Sequence, residues 1–129
     1  MNYLFLIGRI IYGGFFITSG IRHFTSLEQM AQYAASRGVP LPELAVIVTG
    51  LLLLAGGLSV LLGAWPAWGV LCLVVFLVPV TFIMHGFWAD TDAQMRSMNE
   101  IQFYKNMALL GAALMLLEIP RPWRMSLKR

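Results

Sequence analysis

The chain has 129 residues, of which 59% are hydrophobic and only 12% charged, and its mean hydropathy is +0.75. Soluble domains average about 45–50% apolar and about 25% charged residues, so a conventional water-soluble globule and a disordered chain are both excluded. The net charge of +3 is concentrated, with four of the nine Lys/Arg in the last nine positions, which leaves no basic face for nucleic acid.

What remains is an integral membrane protein of one domain, residues 1–129. A helix needs roughly 20 apolar residues to cross a hydrocarbon core. Tyr3 to Ile21 is apolar except for Arg9, and predicts a first span over about 3–22. It has neither a basic start nor a clear A-x-A site, so it reads as a retained helix and not as a cleaved signal peptide.

A short amphipathic helix is expected over about 26–37. Leu27, Met30, Ala31, Ala34 and Ala35 recur on one face, opposite Glu28, Gln29, Gln32 and Arg37. Ser26 and Gln29 have the spacing of a capping box, and Gly38, Pro40 and Pro42 end the segment. Two readings stand: a helix resting on lipid headgroups, or a lid over the bundle.

Leu44 to Met84 contains no Asp, Glu, Lys or Arg. It is long enough for two crossings, about 43–63 and 66–86, joined by a tight turn at Ala64-Trp65-Pro66. The next connection holds Asp90, Asp92, Arg96 and Glu100. It lacks the glycine and terminal carboxylate of a calcium loop and reads as a turn with caps. Ser97 and Glu100 predict a second capping box, leading into a fourth span over about 101–119. The expected architecture is an all-α membrane protein, a four-transmembrane-helix bundle with both termini on one side.

Basic residues set orientation. Arg121, Arg124, Lys128 and Arg129, with Arg9 on the same side, favour cytoplasmic termini over the loops bearing Arg22, Arg37, Arg96 and Lys105. Arg9 and Glu118 both fall in the inner half, so they are expected to pair, or Arg9 to snorkel to phosphate. Gly13 and Gly14 with Thr18; Ala55, Gly56, Gly57, Ser59 and Gly63; and Ala108, Gly111 and Ala112 read as packing faces.

Chemistry is sparse. Cys72 cannot form an intramolecular disulfide, and two histidines and one cysteine are too few for a zinc site without carboxylates. There is no nucleophile–base set, phosphate loop or paired carboxylate. Alternating topology does collect Arg22, His23, His85, Lys105 and Asn106 near the outer face. Two histidines on different helices could clamp a haem, but haem ligands normally sit deeper. The donors fit a quinone headgroup, whose carbonyls accept hydrogen bonds. The alternative is that these groups only satisfy helix ends and lipid phosphates.

GRIIYGGFFITSGIRHF (8–24), the stretch ending in GVPLP (38–42), AGGLSVLLG (55–63), HGFW (85–88) and FYKNMALLGAALML (103–116) occur in order along nearly the whole chain. Together they resemble the DoxX family of bacterial membrane proteins. The resemblance implies a four-helix protein of the bacterial inner membrane, and some relatives are associated with quinone-linked redox assemblies. The family pattern falls here on Gly8, Arg9, Gly20, His85, Trp88, Phe103, Lys105 and Asn106. Many relatives carry a glutamate shortly before the position of Gly56-Gly57; this chain has Leu53 there, which weakens any proton-coupled mechanism.

The expected role is a non-catalytic accessory or anchoring subunit of a quinone-linked redox complex. The alternatives are a structural envelope protein and a small-solute carrier. The partners expected are the lipid bilayer and a redox-complex subunit, with a homo-oligomer left open and no nucleic acid.

Overall fold

The computed structural model describes residues 2–126, so Lys128 and Arg129 of the basic tail lie outside the described residues. The elements run α1 (Asn2–Thr25), α2 (Leu27–Ser36), α3 (Pro42–Leu62), α4 (Pro66–Met84), a 3-10 turn (Phe87–Ala89) and α5 (Ala93–Leu117). Three stretches are long and apolar enough to cross a membrane, Tyr3–Thr25, Pro42–Leu62 and Pro66–Ala89. The expectation of four crossings is met for these three. The fourth long helix differs from its expected bounds of 101–119. It begins eight residues earlier, at Ala93, where Asp92 accepts from the Met95 N–H as the N-cap. Ser97 and Glu100 therefore lie inside the helix and form no capping box.

The helix boundaries follow from local chemistry. Pro42 and Pro66 each open a helix, where the missing N–H is no loss. The residue before each, Leu41 or Trp65, takes a left-handed conformation. Ser59 closes the tight turn between α3 and α4 by donating to the carbonyls of Ala64 and Trp65 at 2.6 and 3.1 Å. α2 ends in a Schellman motif: Gly38 has φ +85°, its N–H reaches the Ala35 carbonyl, and the Val39 N–H reaches Ala34. Its start departs from expectation, because the Ser26 side chain makes no capping bond. The backbone runs on from α1 there, with Ser26 N–H on the Arg22 carbonyl, so few donors need a cap.

Phe16, Leu53, Val60, Val70, Leu73, Leu77, Ala113 and Trp123 form the core. The outward faces of the spans carry Leu4, Ile11, Leu51, Leu71 and Val75, all exposed and apolar, as lipid contact requires. Between helices in lipid, close backbone approach does the work that hydrophobicity does in water. α1 meets α3 at Gly13 and Gly57. A Cβ on Gly57 would lie 2.8 Å from the Gly13 carbonyl and 3.0 Å from the Ile17 nitrogen, both backbone atoms. Gly57→Ala should force the helices apart and cost about 1–3 kcal/mol. Gly14→Ala and Gly111→Ala, which meet nothing within 4 Å, should leave the melting temperature in detergent unlowered. Equal melting of all three variants would refute this packing.

At the end of the bundle away from α2, Arg9 is only 2% exposed, and the expected approach to Glu118 does not occur. Glu118 is exposed at the C-cap of α5, and the tail folds back beneath the bundle. The Arg9 guanidinium donates instead to the carbonyls of Val60 and Leu61, both at 3.0 Å, Arg124 at 2.6 Å and Met125 at 3.2 Å. It also lies 5.6 Å from the ring centres of both Phe5 and Trp123. Val60 and Leu61 belong to the last turn of α3, whose carbonyls have no helical partner and carry the negative end of the helix dipole. That supplies the charge compensation a carboxylate would have given.

Candidate functional site

At the opposite end, a cavity of about 650 Å³ opens among all five helices. That size lies within the range of small-molecule sites, about 300–1,000 Å³. Helix direction fixes its depth. α1 and α4 rise toward this end while α3 and α5 descend from it, so Phe16, Leu53, Leu77 and Leu109 form an apolar floor. From Val46 to Leu53 on α3 the wall spans roughly 10 Å, at about 1.5 Å per residue. Leu53, the position where a glutamate was expected by resemblance, is fully buried in that floor.

The five residues expected to cluster, Arg22, His23, His85, Lys105 and Asn106, all line this one cavity. Arg22 is exposed at the rim. Lys105 Nζ donates to Gln102 Oε1 at 2.6 Å and lies 5.3 Å from the Phe15 ring centre. Asn106 is 5% exposed. The buried side-chain atoms lacking a partner among the described residues are Thr81 Oγ1 and Trp123 Nε1. The Asn106 carboxamide, which bonds to no other described residue, opens onto the cavity.

Both histidines are held by Nδ1. His23 Nδ1 lies 3.0 Å from the Val46 carbonyl and from Thr49 Oγ1. It reaches α3 because Gly50 admits it: a Cβ there would sit 2.8 Å from the His23 Cβ. His85 Nδ1 lies 3.2 Å from Asn99 Oδ1. Among the described residues no Asp or Glu lines the cavity, and the charged side chains there are basic.

α2 borders the cavity. Ala31 and Ala34 are buried, and Met30, Tyr33 and Ala34 face the cavity, a position compatible with both sequence readings of this helix. A latch that the sequence did not reveal fastens it. Arg37 donates to Asp90 Oδ1 at 2.6 Å, to the Gly86 carbonyl at 3.1 Å and to the Ile83 carbonyl at 3.3 Å. Asn99, 5% exposed, donates to Asp90 Oδ2 at 2.7 Å and to Tyr33 Oη at 3.2 Å. Tyr33 Oη in turn donates to the Met84 carbonyl. The bonds from Asn99 and then from Arg37 hold the Asp90 carboxyl below its ordinary range. Asp90 thus does more than turn the chain. The signal for this network lay in polar residues at helix ends, but their partners are 9 to 66 positions apart, beyond any local pattern.

A helical bundle with exposed apolar spans and a cavity at one end, bordered by α2, defines an integral membrane protein with an internal site. The chain belongs to the DoxX family, whose model matches residues 4–86, from α1 to the end of α4. It is 31% identical over 126 residues to inner membrane protein YphA of Escherichia coli (strain K12), covering 98% of this chain and 89% of that protein. It is likewise 31% identical over 124 residues to inner membrane protein YqjF of the same organism, covering 96% and 88%. No solved structure matches the chain. It is a DoxX-type integral inner-membrane protein.

Proposed function

We propose that this protein is an accessory membrane subunit that holds a quinone headgroup at the membrane edge for a redox partner. The observation that carries the reading is the convergence of Arg22, His23, His85, Lys105 and Asn106 on one cavity with an apolar floor. A quinone has the matching form, a flat polar ring on an apolar tail. Arg22 and Lys105 offer donors at the rim, and Asn106 offers an unpaired amide deeper in. Phe16, Leu53 and Leu109 receive the apolar portion. The cavity opens away from the cytoplasm in this reading, because Arg9 and Arg124 lie at the other end of the bundle. Among the described residues the cavity lining holds no paired carboxylate and no serine bonded to a histidine, which favours holding and positioning a ligand over transforming it.

The test is native mass spectrometry of protein gently extracted from its own membrane, with His85→Ala and Lys105→Ala beside the wild type. A retained quinone or its hydroquinone in the wild type, with total occupancy reduced in both variants and melting unchanged, is the expected result. Equal occupancy in all three would make these side chains boundary anchors and refute the site. Wild-type protein carrying only phospholipid would favour a structural envelope role.

A further inference from the structure

The hydrogen-bond network assigns the protons on both cavity histidines, and with them the kind of headgroup that fits. A carboxylate only accepts, so the Asn99 atom 2.7 Å from Asp90 Oδ2 is the amide nitrogen, and the Asn99 oxygen faces His85. That oxygen accepts, so the proton of His85 lies on Nδ1. The same logic holds for His23. Its Nδ1 faces the Val46 carbonyl, while the Thr49 hydroxyl is directed to the carbonyls of Ala45 and Val46 at 2.8 and 3.1 Å. A carbonyl cannot donate, so His23 also carries its proton on Nδ1. In a neutral ring the other nitrogen is then a bare acceptor. Among the described residues both rings bond through Nδ1 alone and both line the cavity, which leaves each Nε2 lone pair available to what enters.

Two acceptors in the wall match a ligand that donates. We infer that the cavity prefers the reduced, hydroxyl-bearing hydroquinone over the oxidised quinone, with His23 and His85 Nε2 accepting from its hydroxyl groups. This rests on the quinone reading above and adds a redox-state preference to it. A quinone carbonyl opposite an Nε2 lone pair makes no hydrogen bond, and in a low-dielectric cavity that mismatch is felt strongly. The rim cations do not reverse the preference. Lys105 is already bonded to Gln102, and Arg22 is exposed, so both act where water competes. Asn106 carries both a donor and an acceptor and serves either form. The latch enters directly: Asp90 fixes Asn99, Asn99 fixes the His85 proton, and the α2 latch thereby sets the polarity of the cavity wall.

The test measures affinity of the full chain in mild detergent for a short-chain 1,4-benzoquinone and, under anaerobic reduction, for its hydroquinone. The hydroquinone should bind about fivefold tighter or more, and His85→Phe should bring the ratio toward one. A tenfold preference would raise the bound couple's two-electron midpoint by about 30 mV. Equal affinities, a preference for the quinone, or an unchanged ratio in His85→Phe would overturn the inference while leaving a quinone site standing. Failure of both forms to bind would overturn the site reading as well. Should His85→Phe not fold, His23→Phe makes the same test on the other ring.

Discussion

Arg9→Met is expected to lower the stability of the bundle by about 3–5 kcal/mol, a large effect for one side chain. Each bond from a charged donor contributes about 1.5–3 kcal/mol, and the guanidinium makes four of them to backbone carbonyls. The sum is not the effect, because methionine also avoids desolvating a charge. What remains is four carbonyls stripped of their donors and two aromatic faces, Phe5 and Trp123, without their cation. Arg9→Lys should recover less than half of the loss, since an ammonium is a point donor and cannot bridge two pairs of carbonyls. Thermal unfolding in mild detergent reads the first effect. Faster tryptic cleavage after Arg124 reads the release of the tail. A methionine variant that melts with the wild type would show that the tail is held by packing alone.

Arg37→Ala carries the second large effect, about 2–4 kcal/mol. The Arg37–Asp90 pair is largely withdrawn from solvent, with side chains 12% and 5% exposed. Removing the arginine leaves Asp90 held by Asn99 alone and frees the carbonyls of Ile83 and Gly86. Amide hydrogen exchange in α2 should accelerate more than tenfold while that of α3 changes little. Exchange that rises equally in both helices would mean general destabilisation and no latch.

The same pair predicts a dependence on pH. The Asp90 carboxyl titrates lower in the folded protein than in the unfolded chain, where aspartate titrates near about 3.9. Its stabilisation is therefore complete above that value and is lost as the pH falls through the lower folded one. Melting temperatures should drop below about pH 4 in the wild type and depend less on pH in Asp90→Asn. Parallel acid curves would remove Asp90 from the latch.

The parts of the fold that were legible in the sequence are those governed by local or compositional physics. A charge-free run from Leu44 to Met84 can only be buried or in lipid, and Pro66 in its middle fixes where it turns. Gly38 marked the end of α2 because a left-handed cap favours it. The collection of Arg22, His23, His85, Lys105 and Asn106 at one end followed from antiparallel topology alone. Misreadings arose where a short pattern had a tertiary competitor. Ser97 and Glu100 match a capping box, yet Asp92 starts the helix first. Arg9 was matched to Glu118 because a buried charge calls for its opposite, whereas aligned carbonyls at the end of α3 serve as well. Arg37, Tyr33, Asp90 and Asn99 carried no local signature, since each meets its partners only after the whole bundle has folded.

The clasp at Arg9 also bears on how the chain is made. Its guanidinium emerges from the ribosome 115 residues ahead of the Arg124 carbonyl that it will hold. Throughout that interval the first span carries a cation whose lasting partners have not been synthesised, including those at Val60 and Leu61. The first span therefore gains the last of these partners only when Met125 has been made. A chain cut short before Trp123 would keep an incompletely sated charge on its first helix, a mark by which quality-control proteases could tell it from the folded protein.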